Sequence, residues 1–159
     1  MKIKLIVVGK CKEKFYQDAC QEYIKRLSAY ASVEIIEVKD EALEEGASEA
    51  EKDRILEIEG KRILEKIADR DFVAALEIRG KAYDSLEFSS WLNTRLLNGD
   101  SSLCFVIGGS CGLSPDVLMR ADARLSFSKM TFPHQLMRVI LLEQVYRAFR
   151  ILHHAPYHK

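Results

Sequence analysis

The sequence has 159 residues, of which 48% are hydrophobic and 30% are charged, the balance of an ordinary globular domain. A chain of this length buries roughly 70% of the surface that its unfolded form exposes, so its core needs no disulfide or metal. The 24 basic and 24 acidic residues cancel, which argues against a protein that coats nucleic acid non-specifically.

Residues 2–8 are rich in Ile and Val and predict a buried first strand. This apolar run is too short for a signal peptide or a bilayer span, so we expect a cytosolic protein with no membrane partner. Helical spacing then predicts a first helix, and β-branched residues 33–38 predict a second strand. The inward stripe of the helix is predicted at Phe15, Ala19, Tyr23, Leu27 and Tyr30.

An acidic stretch with seven acids between residues 40 and 53 predicts a loop that leads into a second helix. The buried stripe of that helix is predicted at Leu56, Gly60, Ile63 and Ile67. The remaining predicted elements are a third strand at 71–78 closed by Gly80, a third helix at 86–97, a fourth strand at 103–107, a short helix opened by Ser114 and Pro115, a short fifth strand from 125 to 127, and a long helix from Pro133 to about residue 152.

Strands that alternate with helices imply one α/β domain over residues 1–159, with a largely parallel sheet covered by helices on both faces. The last helix carries a polar stripe of Glu143, Arg147 and Arg150, and most of its other residues are apolar. That apolar arc is wider than one sheet face covers. The helix is therefore either deeply buried in one subunit or also packed on a second one, and we favour a homodimer.

Charge is unevenly distributed along the chain. Residues 129–159 contain five basic residues, one acid and all four histidines, in contrast to the acidic stretch at 40–53. One end of the molecule could therefore meet a polyanion while the other stays in water, although such an imbalance also arises by chance on a surface.

The strongest local motif is Gly108-Gly109-Ser110-Cys111-Gly112, which lies between the fourth strand and the short helix. Ligands of parallel α/β proteins bind at such turns, where glycines expose backbone amide donors. A tight strand-to-helix turn needs glycine in any case, so the motif alone is moderately specific. The dinucleotide fingerprint GxGxxG and the phosphate-binding Gly-Lys-Ser/Thr are both absent.

The same five residues match GxSxG, the nucleophile elbow of serine hydrolases. Asp116 or Asp122 and then His134 follow in the order that a catalytic triad would need. That fold places its acid and base after later strands, however, and only one short strand remains here. We consider a serine hydrolase the weaker interpretation.

Metal binding is suggested by His153, His154 and His158 near the end of the chain. Pro156 interrupts the helical spacing that such ligands would need, and no carboxylate is close in sequence. The four cysteines form no CxxC pair and are expected to be reduced thiols. We therefore expect no metal site.

Residues 125–134 form a hydroxyl-rich run that ends where Pro133 begins the last helix. Small hydroxyls, free backbone donors and flanking aromatic rings suit an uncharged aromatic ligand such as adenine. An ordinary loop at the entry of a helix would have the same composition.

Taken together, these segments identify a resemblance over the whole chain. They are KIKLIVVGK at residues 2–10, FVIGGSCGL at 105–113, LSFSKMTFPHQLMRVILLEQVYRAFRI at 125–151, and the ending PYHK. The sequence resembles the SPOUT-class ribosomal RNA large subunit methyltransferase H family. This resemblance implies a C-terminal trefoil knot, a homodimer, and methylation of N3 of a pseudouridine in large-subunit (23S) ribosomal RNA on the ribosome.

The resemblance also implies the site residues. S-adenosylmethionine is expected as the cofactor, at Leu76, Gly108, Phe127, Ser128, Lys129, Met130, Thr131 and Phe132. The catalytic residues are expected in the tail, at Tyr157, His158 and Lys159, facing the RNA and the reacting base. A non-catalytic RNA-binding module is the alternative from a different class, and it would bind ribosomal RNA without a cofactor.

Overall fold

The computed structural model describes all residues 1–159 and contains five strands and five helices. In chain order they are β1 (Lys2–Val8), α1 (Lys14–Leu27), β2 (Ser32–Val38), α2 (Glu49–Leu64), β3 (Phe72–Ala82), α3 (Ser85–Leu97), β4 (Ser102–Ile107), α4 (Pro115–Arg120), β5 (Ala123–Ser126) and α5 (His134–Leu152). All predicted elements occur, and they occur in the predicted order.

The strands form one sheet in the order β2-β1-β4-β3-β5, and every neighbouring pair is parallel. Successive residues of β1 point to opposite faces. Leu5 and Val7 pack with α1, α3 and α5, whereas Ile6 and Val8 pack with α2 and α4. The predicted α/β architecture, a parallel sheet covered on both faces, is confirmed. The trefoil knot stays a prediction.

The predicted stripe of α1 is wrong at its start. Phe15 is 62% exposed, and the fully buried residues of α1 are Cys20 and Leu27. The reason is positional, because α1 begins at Lys14 and Phe15 therefore lies in its first turn, at the carboxyl edge of the sheet.

The predicted stripe of α2 is confirmed at Gly60 and Ile63, which are buried, and differs from the structure at Leu56 and Ile67. Its buried residues are Ile55, Glu59, Gly60 and Ile63, whereas Leu56 is only half-buried and Ile67 lies after the helix end. A glutamate on the inward face broke the apolar pattern from which the stripe was predicted. Gly60 is required there because the Cβ of any other residue would collide with the Ser114 hydroxyl of α4.

The third strand does not close at Gly80 but continues to Ala82. Leu76 and Lys81 both pair with Leu125 of β5, so residues 77–80 bulge out of the ladder. A Cβ at Gly80 would lie 2.7 Å from the Arg124 carbonyl carbon, so the return of the strand to β5 needs glycine.

The last helix is fixed to the sheet by a buried arginine that the sequence analysis did not single out. Arg138 is 1% exposed, donates to Glu37 at 2.6 Å and donates to the Gly9 carbonyl at 2.7 Å. The apolar arc of α5 is fully buried at Leu141, Leu142, Val145 and Phe149, whereas Met137, Val139 and Ile140 are only half-buried. None of the five helices is both long enough and apolar enough to cross a membrane.

The tail turns back at the end of α5. His154 has φ +51°, and its N–H donates to the Ile151 carbonyl, while the N–H of Ala155 donates to the Arg150 carbonyl. This is the hydrogen-bond pattern of a Schellman motif, in which a left-handed residue ends the helix. It directs Tyr157 back along the surface of α5.

Candidate functional site

The main cleft of the molecule lies at the carboxyl ends of β3, β4 and β5, three adjacent strands. Its volume is about 800 Å³, which is within the range of small-molecule and cofactor sites. It is lined by residues 76–79 of β3, residues 107–112 at and after β4, Leu125, Phe127, Ser128, residues 130–134 and Met137. Parallel sheets bind ligands at this edge, because the strand-to-helix turns present backbone donors there.

The glycine turn after β4 forms the floor of the cleft. Gly109 and Gly112 form an isolated antiparallel bridge, and Gly112 has φ +84°. A Cβ at Gly108 would collide with the Gly112 backbone, so glycine at 108 is required by the turn itself. Any larger residue at 108 would therefore disrupt the turn whether or not a ligand binds there.

Seven of the eight predicted cofactor residues line this one cleft. They are Leu76, Gly108, Phe127, Ser128, Met130, Thr131 and Phe132, which come from three separate segments of the chain. Lys129 is exposed and is not part of the lining. The Ser128 hydroxyl accepts from the Met130 N–H at 2.9 Å, which gives this loop a local turn of its own. The predicted segments are thus brought together in space.

The structure adds lining residues that the sequence analysis did not predict for this site. Glu77, Ile78 and Arg79 line the cleft because β3 bulges there. No sequence motif predicts this bulge. His134 and Met137 line the cleft from the first turns of α5. Burial, with a smaller contribution from Arg138, lowers the pKa of His134 below its usual range, so its imidazole is neutral at physiological pH.

A buried carboxyl group lies beneath the glycine turn. Glu59 of α2 is 3% exposed, and its Oε2 accepts from the Glu41 N–H at 2.9 Å, while its Oε1 has no hydrogen-bond partner. A Cβ on Gly109 would be 3.2 Å from that Oε1, so the carboxyl group is packed against the turn. Burial raises the pKa of Glu59, since the charged form is poorly solvated.

The three tail residues do not line the cleft of their own subunit. The Tyr157 hydroxyl donates to Glu143 at 3.1 Å, and its ring lies 4.7 Å from the Arg147 guanidinium. His158 Nδ1 is 3.4 Å from Arg147. Burial and the bond to Glu143 raise the pKa of Tyr157 to about 12, so the phenol keeps its proton at neutral pH.

The triad that a serine hydrolase would need is not assembled. Ser110 makes no hydrogen bond with His134, although both lie near the glycine turn. Asp122 accepts from the Val73 N–H at 2.8 Å at the amino end of β5, the opposite edge of the sheet from Ser110. Asp116 is exposed in the first turn of α4. The geometry gives no support to the hydrolase interpretation.

The fold has a counterpart among solved structures. A probable methylase family protein from Haemophilus influenzae Rd KW20 superimposes with a TM-score of 0.57 over 99% of this chain and 70% of that chain. The two sequences are only 11% identical, so this likeness concerns the fold alone.

Sequence relatives are much closer. Proteins named ribosomal RNA large subunit methyltransferase H from Streptococcus pneumoniae strains CGSP14 and JJA are each 55% identical to this chain, over the full length of both sequences. A family model described as a predicted SPOUT methyltransferase matches residues 1–158. The chain belongs to the SPOUT methyltransferase family.

Proposed function

We propose that this protein uses S-adenosylmethionine to methylate N3 of a pseudouridine in large-subunit ribosomal RNA, acting on the ribosome. The observation that carries the proposal is the full-length, 55% identity to proteins named ribosomal RNA large subunit methyltransferase H. A ribosomal substrate would place the protein in the cytosol. A non-catalytic RNA-binding module would not need a cofactor-sized cleft, whereas this protein has one of about 800 Å³ at the ends of three strands.

The cleft suits S-adenosylmethionine in size and in the chemistry of its walls. Leu76, Phe127 and Phe132 supply an apolar wall for an adenine ring, and the turn at residues 108–112 supplies exposed backbone donors for polar groups. When bound, the cofactor supplies an electrophilic methyl group on a sulfonium. The protein's contribution is then largely alignment of that methyl group with the nucleophile.

The attacking atom, N3 of the base, must lose its proton before or during transfer. Tyr157 is protonated at neutral pH, because its pKa is raised to about 12, and it therefore acts as a hydrogen-bond donor. Two roles remain for its neighbours in the tail. Either His158 removes the proton as a general base, or a cation such as Lys159 stabilises the deprotonated base.

A homodimer would bring these catalytic groups to a cleft. Met137 is the last α5 residue of the cleft wall, and Arg147, which His158 contacts, lies about 15 Å further along the helix axis at 1.5 Å per residue. The tail of the same subunit is thus held away from its own cleft. The half-buried apolar residues Val139 and Ile140 lie between the two sites and offer part of a surface for a second copy.

A cofactor titration tests the site with a matched pair of variants. Thr131 is exposed and lines the cleft, so Thr131→Trp should fill the cleft without unfolding the protein, and calorimetry should show S-adenosylmethionine affinity reduced at least tenfold. Lys129→Trp, two residues away and outside the lining, should bind as the parent does. Equal binding by Thr131→Trp and the parent would place the cofactor elsewhere.

A methylation assay tests the reaction. Parent protein, labelled S-adenosylmethionine and ribosomes from a strain lacking this methyltransferase should give label in large-subunit RNA at a pseudouridine. His158→Ala distinguishes the two tail roles, because the loss of a general base shrinks as pH rises and more substrate ionises by itself. Ribosome binding without any label in the RNA would favour the RNA-binding module instead.

A further inference from the structure

An aromatic side chain is left in water beside the cleft. Phe15 is 62% exposed in the first turn of α1, and its ring centroid lies 4.4 Å from that of Tyr16 at an interplanar angle of 52°. The buried side of α1 is provided by Cys20 and Leu27, so the fold does not use the Phe15 ring for its core.

Three lysines lie close to Phe15 in sequence. Lys10, Lys12 and Lys14 are all exposed, and only Lys14 forms an ion pair, with Asp18 at 2.7 Å. Glu13 is the one exposed acid among residues 9–16. Glu37, the nearby acid of β2, accepts from the Cys11 N–H and from Arg138 through its Oε2, and it forms no ion pair with Lys10 or Lys12. The ammonium groups of Lys10 and Lys12 are therefore available to an anionic partner.

The segment is held rigidly at the rim of the cleft. Gln135 Oε1 accepts from the N–H groups of Lys12 and Glu13 at 3.0 and 3.2 Å. Gln135 is flanked in the first turn of α5 by His134, which lines the cleft. Within the segment, Gln17 donates to the Cys11 carbonyl at 2.6 Å. A partner seated on residues 10–16 would thus be adjacent to the cleft opening, and little order would have to be created on binding.

We propose that residues 10–16 form an RNA-docking surface, on which Phe15 stacks an unpaired base of ribosomal RNA while Lys10 and Lys12 contact the flanking phosphates. The proposal rests on the proposed function and adds to it where the substrate is held. Single-stranded RNA is recognised by stacking on exposed aromatic rings combined with phosphate contacts from basic residues, and both components are present here on one rigid segment.

Ribosome binding and turnover test the aromatic part. Phe15→Ala should raise both the KM for ribosomes and the Kd from co-sedimentation with 70S ribosomes by about tenfold, because one base loses its stacking partner. The kcat and the calorimetric affinity for S-adenosylmethionine should not change. Phe15→Trp should behave as the parent, and Leu97→Ala, which removes a 79% exposed side chain at the opposite edge of the sheet, should have no effect.

Salt dependence tests the lysines. Replacing Lys10 and Lys12 together by Gln should reduce the slope of log Kd against log salt by roughly 1.4, since each phosphate contact contributes about 0.7 for a single strand. The matched control replaces Lys52 and Lys61 of α2 by Gln and should leave the slope unchanged.

Three results would contradict the proposal that residues 10–16 form an RNA-docking surface. One is a Phe15→Ala protein with the ribosome Kd and KM of the parent, and another is a lysine variant with the parental salt slope. The third is a Phe15→Ala protein that sediments in a different oligomeric state, since Phe15 would then be a subunit contact. A parent that binds ribosomes but transfers no methyl group would refute the proposed function alone, because co-sedimentation still reports on docking.

Discussion

Glu59 is a buried glutamate whose charged form is poorly solvated. Its carboxyl group is buried against the glycine turn, and one of its oxygens has no hydrogen-bond partner. Burial raises its pKa in the folded protein above the value in the unfolded chain. The unfolded state therefore loses this proton first as pH rises, and the contribution of Glu59 to stability falls from about pH 4 upwards until the folded group has also ionised.

Glu59→Gln should accordingly stabilise the protein at pH 7 and have little effect near pH 4. The amide keeps the oxygen that accepts from the Glu41 N–H and removes the buried charge. Urea midpoints at both pH values measure the effect, and Glu57→Gln on the exposed face of the same helix is the control. A Glu59→Gln protein that is less stable than the parent at pH 7 would mean that the charge has a partner.

His154 is the only non-glycine residue with a positive φ, +51°, and it occupies the helix-ending position where glycine is usual. We expect His154→Gly to stabilise the protein by about 1 kcal/mol, because glycine avoids the steric cost of the left-handed conformation. This corresponds to a rise in Tm of about 2–4 °C. His153→Gly should lower the Tm instead, since His153 has a φ of −94° and its ring packs against Tyr30. An unchanged or lower Tm for His154→Gly would contradict the steric argument.

At the residue scale, the sequence predicted which residues meet in one cleft better than it predicted burial. Leu76 and Thr131 are predicted because the family resemblance implies them, and both line that cleft; their contact with a cofactor stays a prediction. Glu59 and Arg138 could not be recognised as buried, because residue type favours exposure for both and only a tertiary partner decides otherwise. Phe15 shows the opposite error: it was predicted to face inward and is 62% exposed. Helical periodicity does not show which turn of a helix extends beyond the sheet.

At the scale of elements, α5 connects the cleft, the β1–α1 segment and the tail. Arg138 donates two hydrogen bonds, to the Gly9 carbonyl just after β1 and to Glu37 of β2, and so joins the first turns of α5 to both strands. The same turns carry Gln135, which holds residues 12 and 13, and His134, which lines the cleft.

Arg138→Ala should destabilise the protein by about 3 kcal/mol, the low end for breaking a buried ion pair, because Glu37 is 38% exposed and regains some solvation. Arg138→Met should cost less, since the side-chain volume is largely kept. Urea unfolding with an unchanged m value measures both. A midpoint for Arg138→Ala equal to that of the parent would show that α5 is held by its apolar contacts alone.

Element order could be predicted because strands and helices differ in period and because glycine, proline and capping residues mark their ends. Ser114 caps α4 through the Val117 N–H, and Asp84 and Glu87 form a capping box on α3. The bulge of β3 could not be predicted, because it arises from the approach of Gly80 to the backbone of β5, a contact between distant parts of the chain.

For the whole molecule, sequence rules led to a parallel sheet with two covered faces, and the sheet order could not be obtained from them. Residues after Pro156 lie beyond the last helix, where the end of a chain usually makes few contacts. Tyr157 instead packs on Tyr146 and Arg147 of α5, because the left-handed turn at His154 redirects the chain. Tyr157 is thus held on α5, and the tail does not line the cleft of its own subunit.

A mixing experiment tests whether the tail of one subunit serves the cleft of the other. Thr131→Trp should block the cleft and keep the tail, whereas deletion of residues 157–159 should keep the cleft and remove the tail. The tail deletion alone should methylate ribosomes at least about a hundredfold more slowly than the parent, the low end of a lost acid–base contribution. Thr131→Trp alone should be about tenfold slower at a cofactor concentration below the parental Kd, because its cleft is blocked.

After the two variants are unfolded together and refolded, hybrid dimers contain one intact cleft and one intact tail on different subunits. If the tail acts across the interface, statistical mixing makes half of the dimers hybrid, each with one working site, and activity should return to about a quarter of the parental rate. If the tail acts within its own subunit, no hybrid has a complete site and activity stays at the level of the separate variants. Sedimentation of each variant before mixing is the control, because a monomeric variant cannot form hybrids and a monomeric parent would contradict the dimer itself.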